Sequence, residues 1–217
     1  MAHVLIIGGH GKVALLAAPK LVQDGHRVSS VIRNPDQAPE VAATGAEAVV
    51  ADVELLDVDQ LANLVRGVDV VVWSAGAGGG DPRRTLAVDR DTAIRSMDAA
   101  LQAGVPRYVM VSFFGSRPDH GVPADNPFHT YAEAKWQADE HLRGSGLGWT
   151  ILRPSRLTLT PSTGTIDPKP TESGPTSRDL VADVIRAVIS ADPAAMRGFE
   201  LDFTDGEVPI ADVLAQR

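Results

Sequence analysis

Seven runs of continuous apolar residues recur along the chain, and they limit the folds it can adopt more than any other feature. The runs cover residues 4–7, 28–32, 48–50, 68–73, 108–113, 149–152 and 199–203. Each has the length of a β-strand, and hydrophobicity that is continuous rather than alternating indicates strands covered on both faces. Helical spacing of apolar residues fills the gaps between the runs. The sequence therefore predicts an α/β fold: a doubly wound parallel sheet with helices on both faces.

Three residues mark predicted helix boundaries. Asp57 and Ser177 carry side chains that accept hydrogen bonds from the free amides at the start of a helix. Gly104 is typical of the position that follows a helix end. A further helix is predicted over residues 128–143.

Composition narrows the class of protein. A chain of 217 residues, 44% of them hydrophobic, fits one domain over 1–217. The formal charge of −8, without a basic stripe, argues against nucleic acid as a partner. The chain has no cysteine, which excludes disulfides and thiolate chemistry, and its six histidines are scattered, so no metal site is predicted. No stretch has the length of a membrane span, so we expect a cytoplasmic protein.

The first apolar run ends in a glycine-rich loop. Its pattern is Gly8-x-x-Gly11-x-x-Ala14, between a predicted strand and a predicted helix. Glycines let a diphosphate approach the backbone amides at a helix start, which is the Rossmann arrangement for dinucleotides. The loop therefore predicts a cofactor site that includes Gly8, Gly9, His10, Gly11, Lys12 and Val13. A plain tight turn would show the same residues.

The end of the second run bears on the choice of cofactor. No acidic residue is present there to accept a ribose 2′-hydroxyl, whereas Arg33 offers a guanidinium suited to a 2′-phosphate. This favours NADP(H) and leaves NAD(H) open, because Arg33 can equally face solvent. Lys12 is a candidate for a second phosphate contact, and Asp52, followed by Val53, for accepting a hydrogen bond from the adenine amine.

Three polar residues form a candidate catalytic set. Tyr131 and Lys135 stand four residues apart, so they share one face of the predicted helix. A nearby ammonium favours phenolate, so we expect Lys135 to lower the pKa of Tyr131 toward a useful acid–base range. The ammonium can also hold the nicotinamide ribose. Ser112, at the end of a strand, can donate to a substrate carbonyl. Each residue alone also has a purely structural interpretation.

Taken together, these motifs resemble the short-chain dehydrogenase/reductase superfamily. The similarity is to its atypical branch of NAD(P)H-binding proteins, close to the nitrogen-metabolite-repression regulator-like group, and it spans nearly the whole chain. Besides the segments above, it rests on Met110-Val111-Ser112 and on Thr150-Ile151-Leu152-Arg153-Pro154. The resemblance implies a Rossmann domain with a much reduced substrate-binding part. It also implies that the cofactor site extends to Ser74, Ala75, Gly76, Lys135 and Pro154.

The sequence departs from the family pattern at three places. Ala14 replaces the third glycine, and Trp73-Ser74-Ala75-Gly76 stands where typical members carry an asparagine-rich turn. Segment 86–103 has no match for the family's catalytic asparagine, which makes catalysis less certain than cofactor binding. We expect four loops to line one cleft: the glycine turn, residues 76–80, residues 115–128, and a loop over 154–176. Segment 161–177 is predicted to be mobile.

Three functions are compatible with these features. The first is an NADP(H)-dependent oxidoreductase that acts on a small carbonyl- or quinone-like substrate. The second is a non-catalytic redox sensor, which would need a protein partner or a second copy of the chain. The third is a sugar-type epimerase with bound cofactor.

Overall fold

The computed structural model of the chain describes residues 1–78 and 81–217. Part of the predicted 76–80 loop therefore lies outside the described residues. The strands are β1 (His3–Ile7), β2 (Arg27–Ile32), β3 (Glu47–Val50), β4 (Val70–Trp73), β5 (Arg107–Val111), β6 (Gly148–Pro154), β7 (Arg156–Thr158), β8 (Thr165–Asp167), β9 (Pro175–Ser177), β10 (Phe199–Asp205) and β11 (Val208–Pro209).

Helices connect these strands. They are α1 (Lys12–Gln23), α2 (Ala38–Ala43), α3 (Val58–Leu64), α4 (Pro82–Thr85), α5 (Ala93–Gln102), α6 (His129–Gly144), α7 (Arg178–Ser190) and α8 (Ile210–Leu214). A 3₁₀ turn covers Pro35–Gln37, and a π-helical segment, Leu86–Thr92, leads into α5.

The main sheet has the strand order β11-β8-β10-β6-β5-β4-β1-β2-β3. The seven strands from β10 to β3 in this order run parallel, and β8 and β11 extend the sheet in antiparallel pairing. These seven are the strands that the apolar runs predict. The fold is Rossmann-like, as the sequence predicts, with a mostly parallel sheet and helices on both sides.

Burial explains why the runs are continuous. Val4 and Ile6 of β1 belong to a core that also contains residues of α1 and α7. Leu5 and Ile7, which point the other way, belong to a second core with residues of α5 and α6. Successive side chains of a strand face opposite sides, so a strand covered on both sides needs apolar residues at every position.

The predicted helix boundaries are confirmed. Asp57 and Gln60 form a capping box at the start of α3, and the Ser177 hydroxyl accepts hydrogen bonds from two amides at the start of α7. Gly104, with φ of 72°, follows the end of α5. α6 lies within one residue of the predicted helix.

Segment 154–176 departs from the prediction. It was expected to be a loop, yet it contains β7, β8 and the start of β9. β7 and β9 pair with each other, while β8 pairs with β10 and β11. Three-residue strands rich in Thr, Ser and Pro lack the apolar periodicity by which strands are detected in a sequence.

The register brings the ends of the central strands to one edge. Ile7 of β1 lies beside Trp73 of β4, which lies beside Met110 of β5. The polar loops that begin at Gly8, Ser74 and Ser112 therefore leave the sheet side by side, at the carboxyl edge where α/β proteins bind ligands.

Candidate functional site

The glycine turn after β1 packs bare backbone against its neighbours. Gly8 has φ of 86°, and a Cβ on it would lie 2.6 Å from the Cα of Ala75. A Cβ on Gly9 would lie 2.5 Å from the Cβ of Ser30 on β2. Carbon atoms cannot approach so closely, so only glycine allows this turn between β2 and the loop after β4.

The first turn of α1 leaves its amides uncapped. Its N-cap residue, Gly11, provides no side-chain hydrogen bond. Within residues 1–78 and 81–217, the N–H groups of Lys12, Val13 and Ala14 have no acceptor, whereas that of Leu15 donates to Gly11. Free amides at a helix start, reinforced by the helix dipole, fit a diphosphate group.

A cavity of about 460 Å³ opens in front of this helix start. Nine of the predicted cofactor residues line it: Gly8, His10, Gly11, Arg33, Asp52, Val53, Ser74, Ala75 and Gly76. The strand ends of β1 to β4 thus bring most of the predicted cofactor set together.

The remaining predicted cofactor residues lie elsewhere. Gly9 is packed against β2, and Val13 is buried beneath the helix start. Lys12 is exposed. Pro154 lines a different cavity, and Lys135 is buried on α6. His10 does line the cofactor cavity, but its imidazole lies 2.6 Å from the Glu40 carboxylate of α2.

Two further charged residues line the cofactor cavity that the sequence analysis missed. The Glu54 carboxylate accepts hydrogen bonds from Arg33 and Arg84, each at 3.2 Å and on the same oxygen. The acidic residue of the Rossmann pattern belongs at the end of β2, whereas Glu54 follows β3. Arg84 comes from α4 and has no sequence motif around it. One carboxylate thus holds two guanidinium groups where a 2′-phosphate is predicted.

The predicted catalytic residues lie around the end of β5. Ser112 follows β5, and its hydroxyl donates to the Asp139 carboxylate at 2.6 Å. Lys135 is 1% exposed, and its ammonium donates to the Val111 carbonyl at 2.8 Å. The Tyr131 ring contacts two phenylalanines, Phe113 and Phe128, with ring centroids 5.5 Å and 5.0 Å away.

Two buried carboxyl groups complete this cluster, and neither was identified from the sequence. Asp139, on α6, accepts hydrogen bonds from Ser112 and Ser116, both at 2.6 Å. Asp89 lies in the π-helical segment, within the stretch that lacks the asparagine, and accepts from the Ala77 amide at 3.0 Å. π-helical turns are frequent at functional sites. Asp139 follows Lys135 by four residues, so the helical spacing that pairs Tyr131 with Lys135 also places Asp139 on the same face of α6.

Burial dominates the electrostatics of this cluster. It raises the pKa of Asp89 and of Asp139, and the charge of Lys135 partly offsets both shifts. It lowers the pKa of Lys135, which the two carboxylates oppose. In this cluster, the charge of each group therefore opposes the effect of burial on the pKa of its neighbours.

The prediction that Lys135 lowers the pKa of Tyr131 is wrong. Burial of the phenol raises its pKa, and the negative charges of Asp89 and Asp139 raise it further. The Lys135 ammonium donates to the Val111 carbonyl, and its charge acts on Asp89 and Asp139. The phenol is therefore held in its protonated form at neutral pH.

The four predicted loops line two cavities rather than one cleft. The glycine turn and the described part of the loop after β4 line the cofactor cavity. The segments 115–128 and 154–173 contribute to a second cavity of about 890 Å³, which also contains Ser112 and Tyr131. The two cavities lie at the same edge of the sheet because β4 and β5 are neighbours.

No helix in the described ranges is both long and apolar enough to cross a bilayer. Among the same residues, no group of three or more His, Asp or Glu side chains is arranged to hold a metal ion.

Comparisons with known proteins agree with this geometry. A family model described as NAD(P)H-binding matches residues 8–192. A Bacillus subtilis protein named as an uncharacterized sugar epimerase is 35% identical over 216 residues, which cover 97% of this chain and 98% of that protein.

Solved structures give the same result. A Bacillus halodurans protein, named as an NAD-dependent epimerase/dehydratase, superposes with a TM-score of 0.90 at 32% identity over 100% of both chains. An oxidoreductase from Lactococcus lactis gives a TM-score of 0.88 at 27% identity, over 99% of this chain and 95% of the other.

Proposed function

Because the chain belongs to the NAD(P)H-binding family, we propose that it is a cytoplasmic, NADP(H)-dependent oxidoreductase of the short-chain dehydrogenase/reductase type, acting on a small carbonyl- or quinone-like substrate. One observation carries this proposal: Tyr131 and Ser112 lie at the same sheet edge as the uncapped amides of α1. The dinucleotide supplies or accepts hydride when bound. The protein residues orient the substrate and move the proton.

The state of Tyr131 favours reduction over oxidation. A phenol that stays protonated is a general acid, and it can donate its proton to a carbonyl oxygen as negative charge develops there. Oxidation would need the phenolate, which burial and the two aspartates disfavour. We therefore expect reduction to be insensitive to pH near neutrality, and oxidation to become faster as the pH rises.

Ser112 orients the substrate in this proposal. The Ser112 hydroxyl donates a hydrogen bond to Asp139, and the Ser116 hydroxyl donates to the same carboxylate oxygen. Ser112 can therefore turn its proton toward a substrate carbonyl while Asp139 keeps one donor.

The activity test compares turnover with binding. NADPH oxidation is followed with a panel of small aldehydes, ketones and quinones, for the parent protein and for Tyr131→Phe. Loss of a general acid lowers the rate by about 10²- to 10⁴-fold, while NADPH affinity stays unchanged. Tyr108→Phe is the matched control, because Tyr108 bonds to Ser96 beneath α5 and lies away from both cavities.

The preference for NADP(H) rests on Arg33. A guanidinium bonded to a 2′-phosphate contributes about 1.5–3 kcal/mol, so Arg33→Ala is expected to weaken NADPH binding by about 10- to 150-fold and NADH binding much less. Glu54→Gln removes the carboxylate that occupies Arg33 and Arg84, and should tighten NADPH binding.

Arg27→Ala is the control for cofactor choice, since it breaks a similar exposed pair with Glu47 at the opposite end of β2. Fluorescence titration with both dinucleotides measures the effect. Equal losses for NADPH and NADH in Arg33→Ala would remove the basis for the preference.

The names of the Bacillus relatives favour a second candidate, a sugar epimerase with bound cofactor. An epimerase would interconvert sugars without net loss of NADPH absorbance, and this outcome would replace the first proposal. Binding of NADPH without turnover of any substrate would instead favour the sensor.

A further inference from the structure

The second cavity, which Tyr131 lines, has an aromatic wall made of three inclined rings. Phe113, Phe128 and Tyr131 contact one another with centroid distances of 5.0–5.5 Å. Phe128 is 44% exposed, whereas Phe113 and Tyr131 are partly buried. Aromatic rings that line a cavity of about 890 Å³ offer a surface on which a planar apolar molecule can stack.

The charged residues of this cavity are mostly cationic. Its lining contains Arg117, Arg153 and Arg156 but a single carboxylate, Asp202, although the chain as a whole carries −8. Asp202 is already paired with Arg153, which also contacts Glu200. The cavity therefore keeps a positive excess on an acidic protein.

Arg156 and Arg117 carry that excess. Arg156 is exposed and, among the described residues, its guanidinium has neither an ion-pair nor a hydrogen-bond partner. Arg117 donates only to a backbone carbonyl, that of Asp119. A guanidinium in this state binds a planar carboxylate through two parallel hydrogen bonds.

From this lining we infer that the substrate is a planar aromatic or conjugated carboxylic acid, whose ring system stacks on Phe128 and whose carboxylate binds Arg156, with Arg117 in the same lining. This inference rests on the proposed function, because it names the substrate class of the same site. It places the reacting carbonyl near Tyr131 and the anionic end at the outer part of the cavity.

The test uses 2-naphthoate as the probe and 2-naphthamide as its neutral counterpart. Both are titrated into the protein by calorimetry, with and without saturating NADPH. We expect naphthoate to bind at least about 10-fold more tightly than the amide. Arg156→Gln should abolish that preference and leave amide binding unchanged, while Arg156→Lys should keep part of it.

Two controls locate the binding site. Arg66→Gln removes an exposed arginine outside both cavities and should change nothing. Phe128→Ala should weaken the binding of both probes. Equal affinity for acid and amide, no effect of Arg156→Gln, or no binding of either probe at millimolar concentration would each overturn the inference. NADPH titration of the same samples separates the two failures: cofactor binding without naphthoate binding refutes the substrate class alone.

Discussion

Removing the buried ammonium of Lys135 should destabilise the fold strongly. Lys135 is 1% exposed, and its charge favours the ionised forms of two buried carboxyl groups, Asp89 and Asp139. Removing a charge that compensates buried charges of opposite sign costs about 3–5 kcal/mol, because those charges stay buried without compensation. At this chain length about 1 kcal/mol shifts the Tm by about 2–4 °C. We therefore expect Lys135→Met to lower the Tm by about 6–20 °C.

The loss of stability in Lys135→Met should depend on pH. The pKa values of Asp89 and Asp139 are raised in the fold, so their burial weakens stability as the pH rises from their ordinary range, about 4, through the folded values. Loss of Lys135 raises those pKa values further. The deficit of Lys135→Met should consequently be larger at pH 8 than at pH 5.

Thermal and denaturant unfolding at the two pH values measure this deficit. Lys20→Met is the control, because Lys20 pairs with Asp179 and Asp183 at a partly exposed site and should cost about 1 kcal/mol. The double variant Lys135→Met/Asp139→Asn should regain part of the loss at pH 8. Equal losses for Lys135→Met and Lys20→Met, or no recovery in the double variant, would refute the electrostatic reasoning.

The remaining predictions concern a helix cap and the glycine turn. Asp57→Ala removes the capping box that Asp57 forms with Gln60, and denaturant unfolding should show a loss of about 1 kcal/mol. A normal stability would mean that the cap contributes nothing. Gly9→Ala brings a methyl group against Ser30 and should cost about 1–3 kcal/mol and weaken NADPH binding in titrations. Gly144→Ala, where the added atom meets open space, is its control and should bind NADPH normally.

Local signals explain how far the sequence could predict the fold. The strands of the parallel sheet were found because burial on both faces demands continuous apolar residues, as in β1. β7, β8 and β9 were missed because three-residue strands acquire their pairing from neighbours such as β10, which no local pattern reports.

The residues of the candidate site also fall into those that a local sequence pattern predicts and those that it does not. The glycine turn is local, so its residues could be named in advance. Glu54, Arg84 and Asp89 could not, because each acts through a partner distant in sequence, such as Arg33 for Glu54. The direction of the Tyr131 pKa shift was mispredicted because helical spacing shows which residues are near, but not which neighbour takes up the charge of Lys135.

The separation of the two cavities divides the chain into parts that can change independently. Phe113, Phe128 and the three arginines come from segments 113–128 and 153–157, which do not line the cofactor cavity. Replacing those segments would redirect the protein to other molecules while the dinucleotide scaffold stays intact. One framework of seven parallel strands can thus support a range of chemical selectivities through exchange of two peripheral stretches.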